Sequence, residues 1–250
     1  MQLEATSSNS GAGTFEETRI VWGELARSTV GVVAAIALLG QVRKPGRWVG
    51  RPFLWMMNVS HSPLTTWGLE QVGIGTDFVI LDVGCGGGAT VNRLAAIASD
   101  GKVCGIDYAN GSIDVSRRKN AALIAAGRVD IRKASVSDLP FDPGTFNLVT
   151  AVETHYYWPD LAASMREIRR VLKPGGALII IAESYRGSRF DGVQRVVMKA
   201  LKSVHLSVDE HRELFTTAGY SDVRVIERRG SGWICATGRV PALAENAHDE

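Results

Sequence analysis

Residues 78–88 read Phe-Val-Ile-Leu-Asp-Val-Gly-Cys-Gly-Gly-Gly, and this stretch decides the fold. Phe78–Val83 is an apolar, β-branched run that ends at glycines, the pattern of a parallel strand buried on both faces. A helical period follows over Ala89–Ala98. Glycines between a strand and a helix let the backbone approach a ligand closely. The helix start also offers N–H groups without intrahelical partners.

The alternation continues outward from this unit. Lys102–Asp107 reads as a second strand, and Asn110–Ala126 as one helix capped by Asn110 or Ser112. Val129–Ser135 and Phe146–Val152 read as strands three and four. Asp160–Leu172 is amphipathic, with Leu161, Met165, Ile168 and Leu172 on one face, and Pro174-Gly175-Gly176 is expected to stop it. Ala177–Ala182 is the fifth strand. Repeated βα units imply a doubly wound parallel sheet. After Val208–Ala218, a helix closed by Gly219, Ser221–Glu227 and Ser231–Thr237 form a hairpin joined by Arg228-Arg229-Gly230. It adds antiparallel strands.

Composition narrows the function classes. The chain has 250 residues, enough for one large domain with an appendage at roughly 150 residues per domain. With 45% hydrophobic and 22% charged residues, it is neither wholly disordered nor a multi-span membrane protein. A net charge of +2 creates no field that demands nucleic acid. Cys85, Cys104 and Cys235 are widely spaced and form no Cys-x-x-Cys pair. Neither a disulfide framework nor a zinc site is expected, and a reducing, cytoplasmic setting fits.

Residues 1–20 read as a disordered leader, residues 21–75 as an N-terminal helical cap and residues 240–250 as a loose tail. Within the cap, Thr29–Gly40 is apolar but shorter than the ~20 residues that span a bilayer. Glu4, Glu16, Glu17 and Glu24 precede it, which argues against a signal peptide. It reads as a buried helix. The alternative is weak contact of residues 29–51 with a membrane surface, aided by Arg43, Lys44, Arg47 and Arg51.

Asp107 ends the second strand, where a carboxylate can accept both hydroxyls of a ribose. A nucleoside-containing cofactor follows. Gly84-x-Gly86-x-x-Ala89 could serve a dinucleotide, but Asp82, two positions before the first glycine, suits a cationic ligand better.

Four motifs then occur in order: Asp82-x-Gly84-x-Gly86-x-Gly88, Asp107, Asp138-Leu139-Pro140-Phe141 with Phe146-Asn147-Leu148-Val149, and Leu172-Lys173-Pro174-Gly175-Gly176. Over Val79–Ser184 the chain resembles the class I S-adenosylmethionine-dependent methyltransferases of small-molecule type. The resemblance implies a Rossmann-like α/β domain over residues 76–239. Its doubly wound, seven-stranded sheet is mostly parallel with an antiparallel final strand. It implies S-adenosylmethionine as cofactor, held by Asp82, Gly84, Cys85, Gly86, Gly88, Asp107, Tyr108, Ser135, Val136 and Glu153. Two positions depart from the family pattern. Ala134-Ser135-Val136 stands where relatives often carry Gly-Asp-Ala, and Asn147 replaces an Asp after Phe146.

The acceptor side rests on Glu153-Thr154-His155-Tyr156-Tyr157-Trp158. His155 could remove a proton from an acceptor or could orient the loop. Glu153 could pair with a sulfonium or act as a base, and the three aromatics could wall a pocket. Val42–Gly73, with Trp48, Phe53, Trp55, Met56, Met57, His61 and Trp67, would cover the mouth. Residues 186–206 would form a lid, with Val193, Val196, Val197 and Leu201 on one apolar face. The expectation is methyl transfer to a small, apolar or aromatic acceptor, with no metal and no nucleic acid. The alternatives are a non-catalytic adenosyl-binding module and an NAD-dependent oxidoreductase.

Overall fold

A computed structural model describes residues 62–242. The leader, the run Thr29–Gly40 with most of the cap, and the last residues of the tail lie outside the described residues. Among the described residues the elements run α1 (Ser62–Leu69), β1 (Val79–Val83), α2 (Ala89–Ile97), β2 (Lys102–Asp107), α3 (Asn110–Lys119), α4 (Ala121–Ala125), β3 (Val129–Lys133) and β4 (Phe146–Val152). A 3-10 turn (His155–Tyr157) leads to α5 (Leu161–Val171), β5 (Leu172–Ala182), α6 (Asp191–Ala200), α7 (Val208–Thr217), β6 (Ser221–Arg228) and β7 (Trp233–Arg239).

The seven strands form one sheet in the order β3-β2-β1-β4-β5-β7-β6. Strands β1 to β5 are parallel, and β7 is antiparallel to both β5 and β6. The two-residue period of the strands explains why the apolar runs are continuous. Leu81, Val149, Leu178 and Ile180 face one layer, with Met165 and Ile168 of α5 and Phe215 of α7. Ile80, Leu148, Ile179 and Ile181 face the other, with Leu64 of α1 and Val91 and Leu94 of α2. Both faces are therefore covered, as a mostly parallel sheet requires. Each of these fully buried aliphatic side chains contributes roughly 1.5–3 kcal/mol by leaving water.

Three expectations are corrected. The helix over Asn110–Ala126 is two helices, broken at Asn120 (φ −104°, ψ 17°). The Asn120 side-chain amide leaves the helical surface to donate to Gly88 O at 3.1 Å and Ser116 O at 3.0 Å. Neither Asn110 nor Ser112 caps α3. Its N-cap is Ala109, which makes no side-chain cap bond; instead its N–H donates to Asp107 Oδ1 at 2.8 Å. Finally, Pro174-Gly175-Gly176 does not follow α5 as a separate stop. Leu172 is already extended and begins β5, and the glycines sit inside that strand. There the β4–β5 register slips between Phe146↔Leu172 and Leu148↔Ala177, and Gly175 takes φ +76°. The hairpin turn also moves slightly, because β6 runs to Arg228 and β7 starts at Trp233.

Candidate cofactor and acceptor site

The sheet order reverses between β1 and β4, and in such sheets ligands bind beyond the carboxyl ends of the strands at that point. The loop after β1 is held by its own backbone. The N–H groups of Gly84 and Cys85 both donate to Ile106 O at 2.8 Å, and Gly88 N–H donates to Cys85 O at 2.8 Å. Gly84, Gly86 and Gly88 all have left-handed backbones (φ +72°, +49° and +76°). Their surroundings differ. A Cβ on Gly84 would lie 2.2 Å from Thr154 Oγ1, and one on Gly88 would lie 2.4 Å from Ser116 Oγ. A Cβ on Gly86 would meet nothing within 4 Å. Gly84 and Gly88 thus seat the loop against β4's end and α3, whereas Gly86 faces open space.

Asp107 sits beside that open space. Its carboxylate accepts Gly86 N–H at 3.1 Å through Oδ2 and Ala109 N–H through Oδ1. Burial raises its carboxyl above the usual range, and these N–H donors oppose the rise. The next residue, Tyr108, is 46% exposed. Asp82 is deeper, only 2% exposed, and accepts the Thr150 hydroxyl at 2.7 Å from the neighbouring strand. Burial pushes its carboxyl up to about 7; the Thr150 hydroxyl opposes this and the charge of Asp107 adds to it. Cys85 is buried with Sγ 3.8 Å from Ser116 Oγ, and burial holds its thiol well above the usual range. Val136 is buried, while the half-buried Ser135 accepts Ser137 N–H at 3.2 Å within its own turn.

Beyond β4 the chain turns sharply. Glu153 has φ +56°, an uncommon backbone for a residue with a side chain. Its Oε1 accepts Tyr156 Oη–H at 3.2 Å and Glu183 N–H at 2.5 Å, and Tyr156 Oη in turn accepts Ser184 N–H at 3.0 Å. The carboxylate thus ties the end of β4 to the end of β5. His155 is fully buried, its ring 4.2 Å from Tyr156, 5.4 Å from His211 and 6.5 Å from Trp158, centroid to centroid. Burial, then the neighbouring His211, holds its pKa well below the ordinary histidine value. Tyr156 and Trp158 are core residues rather than pocket walls, and Tyr157 is half-buried.

Of the first cover segment only residues 62–73 are among the described residues, and Trp48, Phe53, Trp55, Met56, Met57 and His61 lie outside them. Trp67 is half-buried and packs its ring 5.9 Å from Trp233, on the sheet face that α1 covers. Of the expected apolar face, Leu201 is half-buried, whereas Val196 and Val197 do not turn inward. They are 70% and 37% exposed, and Met198 fills the inward position with Tyr156, Ala182, Tyr185 and Ile234. Three residues that the sequence alone does not single out shape the site: Thr150 on Asp82, Asn120 on the Gly88 carbonyl, and His211 beside His155. Each lies far along the chain from its partner, so no local pattern marks it.

Residues 81–180 match the family model of the methyltransferase domain. These residues form a methyltransferase domain of the class I S-adenosylmethionine-dependent type. Among relatives of this methyltransferase, a demethylmenaquinone methyltransferase from Symbiobacterium thermophilum is 39% identical over 112 residues, covering 44% of this chain and 45% of that protein. A 27-O-demethylrifamycin SV methyltransferase from Amycolatopsis mediterranei is 30% identical, covering 67% and 64%. The chain spans less than half the length of the first three curated relatives that it matches. The solved structure of a methyltransferase from Aquifex aeolicus shares the fold at TM-score 0.62 and 20% identity, over 76% of this chain and 97% of that one.

The residues present fit the family's cofactor, S-adenosylmethionine. A Cβ on Gly86 would enter open space, the Asp107 carboxylate accepts the Gly86 N–H beside it, and the next residue along the chain, Tyr108, is exposed. Among the described residues, no three His, Cys, Asp or Glu side chains converge as a metal site.

Proposed function

We propose that this methyltransferase moves a methyl group from S-adenosylmethionine to a small, apolar or aromatic acceptor. One observation carries the reading: at the sheet's switch point Gly86 has open space on its Cβ side and donates its N–H to the Asp107 carboxylate. S-adenosylmethionine, when bound, supplies a methyl group already activated on a sulfonium. The chain's own residues then hold the reactants and exclude water. Asp107 accepts the ribose hydroxyls, Tyr108 offers its ring to the adenine, and Val136 with Ser135 borders the base. The backbone of Gly84, Cys85 and Gly86 follows the amino-acid end, with the Asp82 carboxyl behind it.

His155 serves as a loop-positioning residue in this reading, because its buried ring faces Tyr156, Trp158 and His211. Glu153 braces the acceptor side through Tyr156 and the Glu183 N–H. Orientation and water exclusion supply the rate enhancement, so no side-chain base is required. Relatives named for a demethylmenaquinone and a demethylrifamycin support an apolar or aromatic acceptor. The buried free thiols Cys85, Cys104 and Cys235 support a reducing, cytoplasmic setting.

Thermal unfolding with S-adenosylmethionine, S-adenosylhomocysteine and NAD tests the cofactor. A ligand at 100 times its Kd stabilises by about 2.7 kcal/mol. For a domain of this size that raises the Tm by roughly 5–10 °C. Both adenosyl compounds should give the shift and NAD none. A shift with NAD alone would replace methyl transfer by hydride chemistry.

A further inference from the structure

Helix α6 is amphipathic, yet its apolar side faces outward. Within it, Met198 is buried at 5% exposure. Gln194 and Leu201, four residues before and three after, share that inward side and are half-buried. The opposite side carries exposed Val196 and Ala200, one turn apart, and Val197 beside them. Phe190 lies just before the helix, seven residues before Val197 and therefore on the same stripe, and is 45% exposed. A second stripe at the same helical spacing runs along the flank: Arg195, Lys199 and Lys202, all exposed. Arg189 lays its guanidinium over the Phe190 ring at 5.2 Å. Residues 186–202 hold five basic side chains and one carboxylate, Asp191, which pairs with Arg195 at 2.7 Å. Arg186 pairs with Glu210.

From this we infer that α6 docks flat on an anionic bilayer surface, with Phe190, Val196 and Val197 in the headgroup boundary. Arg189, Lys199 and Lys202 would then lie against lipid phosphates. Charge complementarity selects this occupant. An outward apolar stripe beside a lysine-bearing flank is the arrangement of an interfacial helix. Protein–protein interfaces, by contrast, are depleted in lysine. No helix among the described residues is long and apolar enough to cross a membrane, so the contact is peripheral. The helix follows β5, whose end Glu153 ties to β4, and the side-chain amide of Gln194 donates to Glu183 O at 2.7 Å. Docking there would bring a bilayer to the acceptor side of the site. The inference concerns binding alone and stands whether or not methyl transfer is the activity.

The test is sedimentation of the full chain with vesicles of phosphatidylcholine alone and with vesicles containing phosphatidylglycerol. Binding is expected to the anionic vesicles, weakening as salt rises. Lys199→Gln and Lys202→Gln should each weaken it roughly fivefold, the equivalent of about 1 kcal/mol per basic residue at an anionic surface. Val196→Asp with Val197→Asp should abolish it, and because both positions are exposed the Tm should stay unchanged. Equal binding to both vesicle types overturns the inference. So does undiminished binding by the α6 variants, which would move the contact elsewhere, such as to residues 29–51. A wild-type dimer that the Val196→Asp, Val197→Asp variant dissociates would assign the face to a second copy of the chain, and overturns it as well.

Discussion

Gly86 and Gly88 are two residues apart and share a left-handed backbone, but the structure gives them different work, and alanine separates the two roles. A left-handed backbone costs an L-residue about 1–2 kcal/mol relative to glycine. At Gly86 the new methyl meets nothing within 4 Å, so that is the whole penalty. It corresponds to a fall in Tm of roughly 2–8 °C. At Gly88 the methyl would lie 2.6 Å from Asn120 Nδ2 and 2.9 Å from Ser116 Cα. The backbone atom has nowhere to go, so overpacking adds about 1–3 kcal/mol. Gly88→Ala therefore unfolds at a clearly lower temperature than Gly86→Ala. Affinity for S-adenosylhomocysteine runs the other way. A methyl placed on the ligand's side of the loop adds a steric penalty of about 1–3 kcal/mol, or roughly 5- to 150-fold in Kd. Thermal unfolding of the ligand-free variants and titration calorimetry with S-adenosylhomocysteine measure both quantities. Wild-type affinity in Gly86→Ala would refute the placement of the ligand on the open side of Gly86. Equal destabilisation by the two variants would refute the packing argument.

Three other predictions follow from the same geometry. The Asp82 carboxyl has a folded pKa raised to about 7, so its protonated form is the stable one; that stability is full below pH 4 and is lost as pH rises through about 7. Asp82→Asn should thus resist unfolding better than wild type at pH 8 by on the order of 4 kcal/mol at most, with the gap closing by pH 4, and parallel Tm curves against pH would sink the assignment. Tyr156→Phe removes the hydroxyl between Glu153 Oε1 and Ser184 N–H and should cost about 1–3 kcal/mol in denaturant unfolding; no loss would mean the β4–β5 tie is unimportant. Ser207→Ala breaks the capping box in which Ser207 Oγ accepts Glu210 N–H and Glu210 accepts Ser207 N–H, at about 1 kcal/mol and roughly 2–4 °C; an unchanged Tm would contradict it.

What the sequence made legible is what local pattern controls. Lys102–Asp107 and Phe146–Val152 are strands from end to end as read, because both faces of a parallel strand are buried and the apolar run shows it. Asp107 was recognisable because a strand end followed by a helix fixes its place. The break at Asn120 was not, since its cause is a carbonyl 32 residues away. The cap of α3 was misplaced for a similar reason. Asp107 accepts the Ala109 N–H from the strand side, so neither Asn110 nor Ser112 is needed there. Leu172-Lys173-Pro174 reads as a helix exit, but pairing with Phe146 draws it into the sheet. At the site, His155 looked like an available base. It is buried, and one ring beside it is that of His211, which an intervening strand and two helices separate from it along the chain. The outward turn of Val196 and Val197 could not be read from their spacing, which marks an apolar stripe but not the side that packs.

The glycine loop after β1 has a consequence for the kinetics of ligand capture. The N–H groups of Gly84, Cys85, Gly86 and Gly88 are already bonded to Ile106, Asp107 and Cys85, and Asn120 pins the Gly88 carbonyl. The loop's shape is therefore settled during folding, and little conformational freedom remains to be surrendered when a cofactor arrives. Substitutions around the loop should accordingly change residence time more than association rate, with most of any affinity difference in the dissociation constant's off-rate. A preset cradle also binds reaction product by the same contacts that hold the reactant. In the proposed reaction, departure of the spent nucleoside, rather than the chemical step, would then be the natural limit on turnover.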